Sequence, residues 1–228
     1  MLQKKKKLSK KEIKEDKLIS FYYKAYGYFN ENKSRLLTYA GIAVAVVVLI
    51  IFYVFHQKEQ NNAAGVQLAY AMNLYDSGAY LEAIEGQAGT NIMGLKKIVD
   101  NYGSTENGET AKIYLANCYN FLGKPDVAYK YYKDYDGDID LYKATSLAGQ
   151  AGYFASLSEF EKAADLYRKA SRVTKSDLLN PDYILHAAIN YINAGKKEEA
   201  KEMLDILKRD YNTTAAYRSA FPYFAQVD

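Results

Sequence analysis

The sequence predicts an all-α protein, a single transmembrane helix followed by a solenoid of helical hairpins. Three observations carry this reading. Residues 36–55, LLTYAGIAVAVVVLIIFYVF, hold no formal charge across twenty positions. Beyond them, four stretches align without gaps on a recurring alanine, large residue, turn residue and second alanine. Charge divides at the apolar run, with net +7 over residues 1–35 and net −4 over residues 56–228.

The apolar run has the length of a membrane span. At about 1.5 Å of rise per residue, it covers about 30 Å, the hydrocarbon thickness of a bilayer. Thirteen of its twenty residues are Leu, Ile, Val or Phe, which favours insertion by roughly 5 kcal/mol. A soluble core helix keeps one polar face, and this run has none after Tyr39. Tyr39, Phe52 and Tyr53 stand near its two ends, where aromatic rings suit the membrane interface. A secretory signal has a shorter apolar core with small residues close behind it. Here 35 residues precede the run, and Ala63, Ala64 and Gly65 lie well past it. It reads as an uncleaved anchor.

Orientation comes from charge. Residues 1–35 contain eleven Lys and Arg, including Lys4 to Lys7, against four acidic residues, whereas residues 56–75 contain only Lys58. The positive-inside rule leaves residues 1–35 in the cytoplasm and sends the rest across. Beside an anchor, such a basic segment sets topology and touches anionic lipid, so nucleic acid is not an expected partner. Leu18, Phe21, Tyr22, Ala25 and Phe29 have helical spacing. Lys17, Lys24, Lys33 and Arg35 are the candidate membrane-surface residues beside them. This amphipathic helix either lies in the cytoplasmic interface or docks on another membrane protein.

Residues 56–64 read as a linker, and residues 65–211 as about four repeats. The aligned stretches are AMNLYDSGAYLEA (71–83), ANCYNFLGKPDVA (116–128), AGYFASLSEFEKA (151–163) and AINYINAGKKEEA (188–200). Each opens on Ala71, Ala116, Ala151 or Ala188. Three residues on stand Leu74, Tyr119, Phe154 and Tyr191. Seven on stand Gly78, Gly123, Ser158 and Gly195, and twelve on stand Ala83, Ala128, Ala163 and Ala200. Antiparallel helix pairs need this register. The alanines let the two helices approach, the large residue fills the space beside them, and the Gly or Ser takes the turn. The longest offset, 45 residues against 35 and 37, falls in the first unit. There, Gly86, Gly89 and Gly94 are expected to break up the second helix.

Local signals supply the ends. Ser158 and Glu161 make a capping box for the next helix. Asn180 and Pro181 fit an N-cap and first helical position. Asn212-Thr213-Thr214, formally a glycosylation sequon, reads instead as a helix start. It opens a C-terminal capping helix within residues 212–228, roughly Thr213 to Gln226, that covers the last apolar face and is kinked at Pro222.

This pattern resembles the tetratricopeptide repeat, a helical hairpin of 34 residues with small residues at the crossing and an aromatic late in the second helix. DLYRKA (165–170) is similar to the end of such a helix. The chain departs from the consensus in lacking its Trp and in placing Gln87 at the late aromatic position of the first unit. The resemblance implies a tetratricopeptide-like helical-hairpin solenoid with a concave binding face lined by first helices. Its groove positions fall on Leu68, Met72 and Tyr75 in the first unit and Ile113, Asn117 and Asn120 in the second. In the third they are Ala148, Gly152 and Ala155, and in the fourth Leu185, Ile189 and Ile192. Each serves either packing or ligand contact. The Lys/Asn clamp with which some relatives grip a terminal carboxylate is not visible. The mixture suits an unfolded or extended segment.

The order of basic helix, single span and exported repeat domain also resembles the ancillary subunit of the bacterial Sec translocon. That family implies a bitopic inner-membrane protein with a periplasmic repeat domain. Its partners would be translocon subunits, periplasmic chaperones or exported chains, together with the lipid bilayer. The alternative is a structural adaptor for another cell-envelope assembly.

No catalytic constellation stands out, so an enzyme is not expected, nor any cofactor or metal. His56 lies at the membrane edge, and His186 reads as a groove or packing residue. Cys118, the only cysteine, reads as a buried small hydrophobe. DYDGDID (134–140) fails the EF-hand pattern, because placing Gly137 sixth puts Tyr132 first. It reads as a solvated loop between repeats. The 24 tyrosines, with no tryptophan, serve helix contacts, a peptide groove, or both.

Overall fold

The computed structural model describes the backbone of residues 10–173 and 178–227, and side chains within those ranges from Ile19 onward. It divides into two compact units, residues 1–56 and 57–228. Ten α-helices are assigned among the described residues, and the one isolated bridge there pairs Gly86 with Met93.

The first unit is the greater part of helix α1 (Lys10–Asp76). Its apolar run meets the length and composition needed to cross a bilayer, and none of the qualifying window is buried. Side chains such as Val48, Leu49, Phe52 and Phe55 are more than half exposed. Residues 56–64, expected as a linker, are helical and continue α1 without a break. Glutamine, asparagine and alanine dominate that stretch, and none of its residues is Gly or Pro, so no strong breaker interrupts the helix.

The second unit is built from hairpins. The end of α1 turns into α2 (Tyr80–Glu85), and α4 (Glu106–Phe121) pairs with α5 (Pro125–Lys133). Next, α6 (Asp140–Ser156) pairs with α7 (Phe160–Val173), and α8 (Asn180–Asn193) with α9 (Lys197–Asp210). Each pair packs on the next, and α10 (Ala215–Val227) closes on α8 and α9. All eight register alanines are at most 1% exposed. With only a methyl group at the crossing, the helix axes can come close and bury the larger neighbours.

The four hairpin turns share one geometry. Gly78, Gly123 and Gly195 have φ of 79°, 71° and 74°, and Ser158 has 60°, all in the left-handed region. Each of these residues donates its N–H three positions back, Gly78 to Tyr75 at 2.9 Å and Ser158 to Ala155 at 3.0 Å. The following N–H donates five back, to the carbonyls of Leu74, Tyr119, Phe154 and Tyr191, at 2.9–3.0 Å. This is the Schellman closure of a helix C-terminus. The large residue of each register therefore also supplies the carbonyl that closes its turn.

Ser158 thus ends α6 rather than capping α7, which corrects the capping-box expectation. Its left-handed backbone places Glu159 at the half-turn position, whose carbonyl accepts from Ala163 at 3.0 Å. Asn180 also shifts by one. It is the first residue of α8, the Leu179 carbonyl accepts the Tyr183 N–H at 3.0 Å, and Pro181 comes next inside the first turn. The last helix begins at Ala215, with Thr214 Oγ1 accepting the Tyr217 N–H at 3.2 Å, and runs through Pro222 to Val227.

The first repeat is split as its glycines suggest. After α2 the chain loops through residues 86–94 and resumes as α3 (Leu95–Tyr102). At Gly94 the loop crosses the end of α2 so closely that a Cβ would run into the Ile84 carbonyl. Leu95 and Ile98, both 0% exposed, then plug the core shared with Leu68, Leu115 and Cys118. Of the acidic segment 134–140, residues 134–139 are the α5–α6 connection, and it is pinned from α4. Lys112 reaches Glu109 at 2.8 Å and Asp134 at 3.0 Å, and Glu109 accepts the Asp136 N–H at 2.9 Å.

Candidate protein-binding groove

The expected groove residues fall into three groups. Leu68, Ile113 and Leu185 are 4%, 1% and 7% exposed and belong to the core. They leave almost no surface for a ligand, because each is packed into a core cluster between helices. Met72, Tyr75, Asn117, Ala148, Gly152, Ala155, Ile189 and Ile192 are half-buried, and Asn120 is exposed. These nine keep contactable surface on the first helices.

Several already have partners. Asn117 Oδ1 accepts the Tyr132 hydroxyl at 2.6 Å. The amide oxygen is therefore occupied in joining α4 and α5. The third repeat is different. A Cβ added at Gly152 would meet only the Tyr167 hydroxyl, at 3.4 Å, so Ala148, Gly152 and Ala155 form a shallow stretch of small residues.

An aromatic network borders the groove positions of the first two repeats. Tyr75 meets Tyr114 edge-on at 5.1 Å, Tyr80 stacks on Phe121 at 4.8 Å, and Tyr114 reaches Tyr142 at 6.2 Å. Phe121 is 60% exposed. Neither Tyr114 nor Phe121 is selected by the repeat register, although Phe121 directly follows Asn120. Burial raises the pKa of Tyr75, keeping its hydroxyl protonated beside the rings.

Cys118 is 0% exposed, and burial pushes its thiol up to about 12. His186 is exposed and stacks on Tyr167 at 5.2 Å. Burial opposes the charge of Lys112, yet hydrogen bonds to the Glu109 and Asp134 carboxylates hold its pKa above the ordinary lysine value.

In the first unit, Lys24, Lys33 and Arg35 are exposed, while the Lys17 side chain lies outside the described residues. Lys33 and Arg35 stand within one helical turn of Leu36. Lys24 is about 18 Å from it along the helix at 1.5 Å per residue, so these basic residues do not form one cluster. Of the expected apolar stripe, the Leu18 side chain lies outside the described residues. Phe21, Tyr22 and Phe29 share a side, but exposed Tyr23 falls nearly opposite, and Tyr26 stacks on Tyr22 at 6.2 Å.

Two solved structures are similar to this chain. One is a Podosopora anserina putative kinesin light chain with nearly identical TPR-like repeats, at 14% identity and a TM-score of 0.52, covering 73% of this chain and 94% of that one. The other, a variant of the same protein, also has 14% identity, with a TM-score of 0.54 and coverage of 73% and 85%. The fold is a tetratricopeptide-like solenoid. At this identity the likeness extends to the fold alone. No protein-family model and no curated protein matches the chain.

Proposed function

We propose that this chain is a membrane-anchored protein-binding scaffold that works in the periplasm and assists export or chaperone hand-over at the Sec translocon. The observation that carries the reading is a pairing within the sequence and fold. An exposed, uncharged run of twenty residues in α1 accompanies a helical-hairpin solenoid whose groove-register positions bear no charge. Exposed apolar surface of this extent has to be covered, and a bilayer covers a single helix on every side. Lys33 and Arg35 at the amino-terminal edge, with the net +7 of residues 1–35, favour a cytoplasmic amino terminus.

Tetratricopeptide-like solenoids offer an extended face along their first helices. In this chain that face carries Met72, Tyr75 and Asn120, then the small residues of the third repeat, and then Ile189 and Ile192. It suits an exported polypeptide that has not yet folded, and residues 1–55 bring it to the translocon. The test is purification of the full chain from native membranes in mild detergent, beside a version in which an unrelated anchor replaces residues 1–55. Mass spectrometry should recover translocon subunits with the native anchor alone. Equal recovery of other envelope partners with both anchors, and no translocon, would leave a structural adaptor whose anchor is only a tether.

A further inference from the structure

Helix α10 does more than close the array. Its Ala220 is 0% exposed, and a large residue, Tyr223, stands three positions on, as in the four earlier registers. Ala216, Ala220 and Val227 bury one side against the core of α8 and α9. The offsets that give Leu185, Ile189 and Ile192 from Ala188 give Tyr217, Phe221 and Phe224 from Ala220. The helix expected only as a cap therefore carries a fifth set of groove-register residues.

These three rings touch one another, with centroids 5.2, 6.1 and 6.5 Å apart. Tyr217 and Phe224 are half-buried against the same core as Ile189 and Ile192, while Phe221 remains 58% exposed. The groove-register residues of α8 and α10 bear no charge, and the one charged residue of α8, the exposed Asp182, lies two turns before Ile189. The one charged residue of α10, Arg218, donates to the Thr213 carbonyl at 3.1 Å and so turns to the start of its own helix.

We propose that α8 and α10 form an apolar groove that takes an extended, uncharged polypeptide segment by seating an aromatic or aliphatic side chain on Phe221. This rests on the groove reading given above and names the class of segment bound. A charged side chain placed against Ile189, Tyr217 and Phe221 would lose hydration with no partner to replace it. An apolar side chain there gains from burial and from ring contact. A second copy of this chain is a poorer occupant, because residues 56–228 carry net −4 and repel their like.

The test uses the full chain in lipid nanodiscs and a short dye-labelled peptide of Ser, Gly and Asn carrying Phe and Leu, read by fluorescence anisotropy. A matched peptide has Asp in place of each Phe. Phe221→Ser should weaken binding of the apolar peptide by about tenfold, the loss expected for one desolvated aromatic contact. The Asp peptide should bind the native chain at least as weakly. Because Phe221 is exposed, thermal melting should be unchanged, which separates lost binding from lost folding. Gly152→Gln, which fills the small-residue stretch, serves as the comparison. Binding lost through Gly152→Gln but untouched by Phe221→Ser overturns this inference and spares the groove reading. Equal binding of the Asp peptide overturns it as well. Absence of any binding by the native chain overturns both, and a dimer dispersed by Phe221→Ser with no peptide effect assigns the patch to a second copy instead.

Discussion

Ser158 donates its backbone N–H to the Ala155 carbonyl at 3.0 Å while holding φ at 60°, the conformation glycine adopts in the other three hairpin turns. A side chain there costs about 1 kcal/mol, because Cβ crowds the following carbonyl. Ser158→Gly should therefore stabilise the protein by about that amount, less the greater entropy glycine has when unfolded. Urea denaturation of the two proteins decides it. A loss of stability would mean that the serine side chain contributes something its turn geometry does not reveal.

Lys112 is 8% exposed and is held by Glu109 at 2.8 Å. Glu109→Gln keeps the shape and removes the charge. It should cost about 2 kcal/mol, less than the roughly 3–5 of a fully buried pair, because Asp134 still faces the ammonium from a largely exposed position. Asp138→Asn, at an exposed pair with Lys143 at 3.5 Å, should stay within about 0.5 kcal/mol. Similar melting shifts for both would contradict the pinned connection.

Alanine size at the crossings sets a contrast within one hairpin. Ala163→Leu enters a site with 0% exposure and should cost about 1–3 kcal/mol through overpacking. Ala155→Leu adds the same side chain at a half-buried groove position and should cost less than about 0.5 kcal/mol. Calorimetric melting of both variants tests the assignment of faces.

Stability should fall in alkali. Burial pushes Cys118 and Tyr135 up to about 12, and it raises Tyr75, Tyr119, Tyr131 and Tyr167 in the same direction. Unfolded, these groups lose their protons near pH 8.5 for the thiol and about 10 for the phenols. Above those values the unfolded chain binds fewer protons than the folded one, so deprotonation favours unfolding. The contribution is whole below about pH 8.5 and is lost as pH rises toward about 12. A denaturant midpoint that stays level from neutral pH to about 11 would contradict these burials.

The hairpins are legible in the sequence because their determinants are local and repeated. A methyl group at each crossing and a left-handed turn residue at a fixed offset leave little choice of structure. That register puts Ser158 in the turn, yet its cap role fails, because a hydroxyl three residues before an acid fits a turn as well as a cap. The groove is less legible. The register identifies the side of a helix, but burial depends on how closely the next helix lies, which removes Leu68, Ile113 and Leu185 from the surface. The fifth set in α10 is hidden by its short 32-residue offset from Ala188 and by Val227 standing where a turn glycine would be. Phe121 falls outside the register, one residue beyond Asn120.

The loop at residues 86–94 gives the array a weak joint. In a solenoid each hairpin is held mainly by its neighbours, and α2, six residues long, is too short to persist alone. Its ties to α3 and α4 are the buried side chains Ala83 and Ile84, the stack of Tyr80 on Phe121 and the crossing at Gly94. Tension or thermal fluctuation should therefore open this end first, peeling α2 away while α6 to α9 stay folded. Amide hydrogens in Tyr80–Glu85 would exchange well before those of Leu204 and Leu207, giving the protein a built-in direction of unravelling.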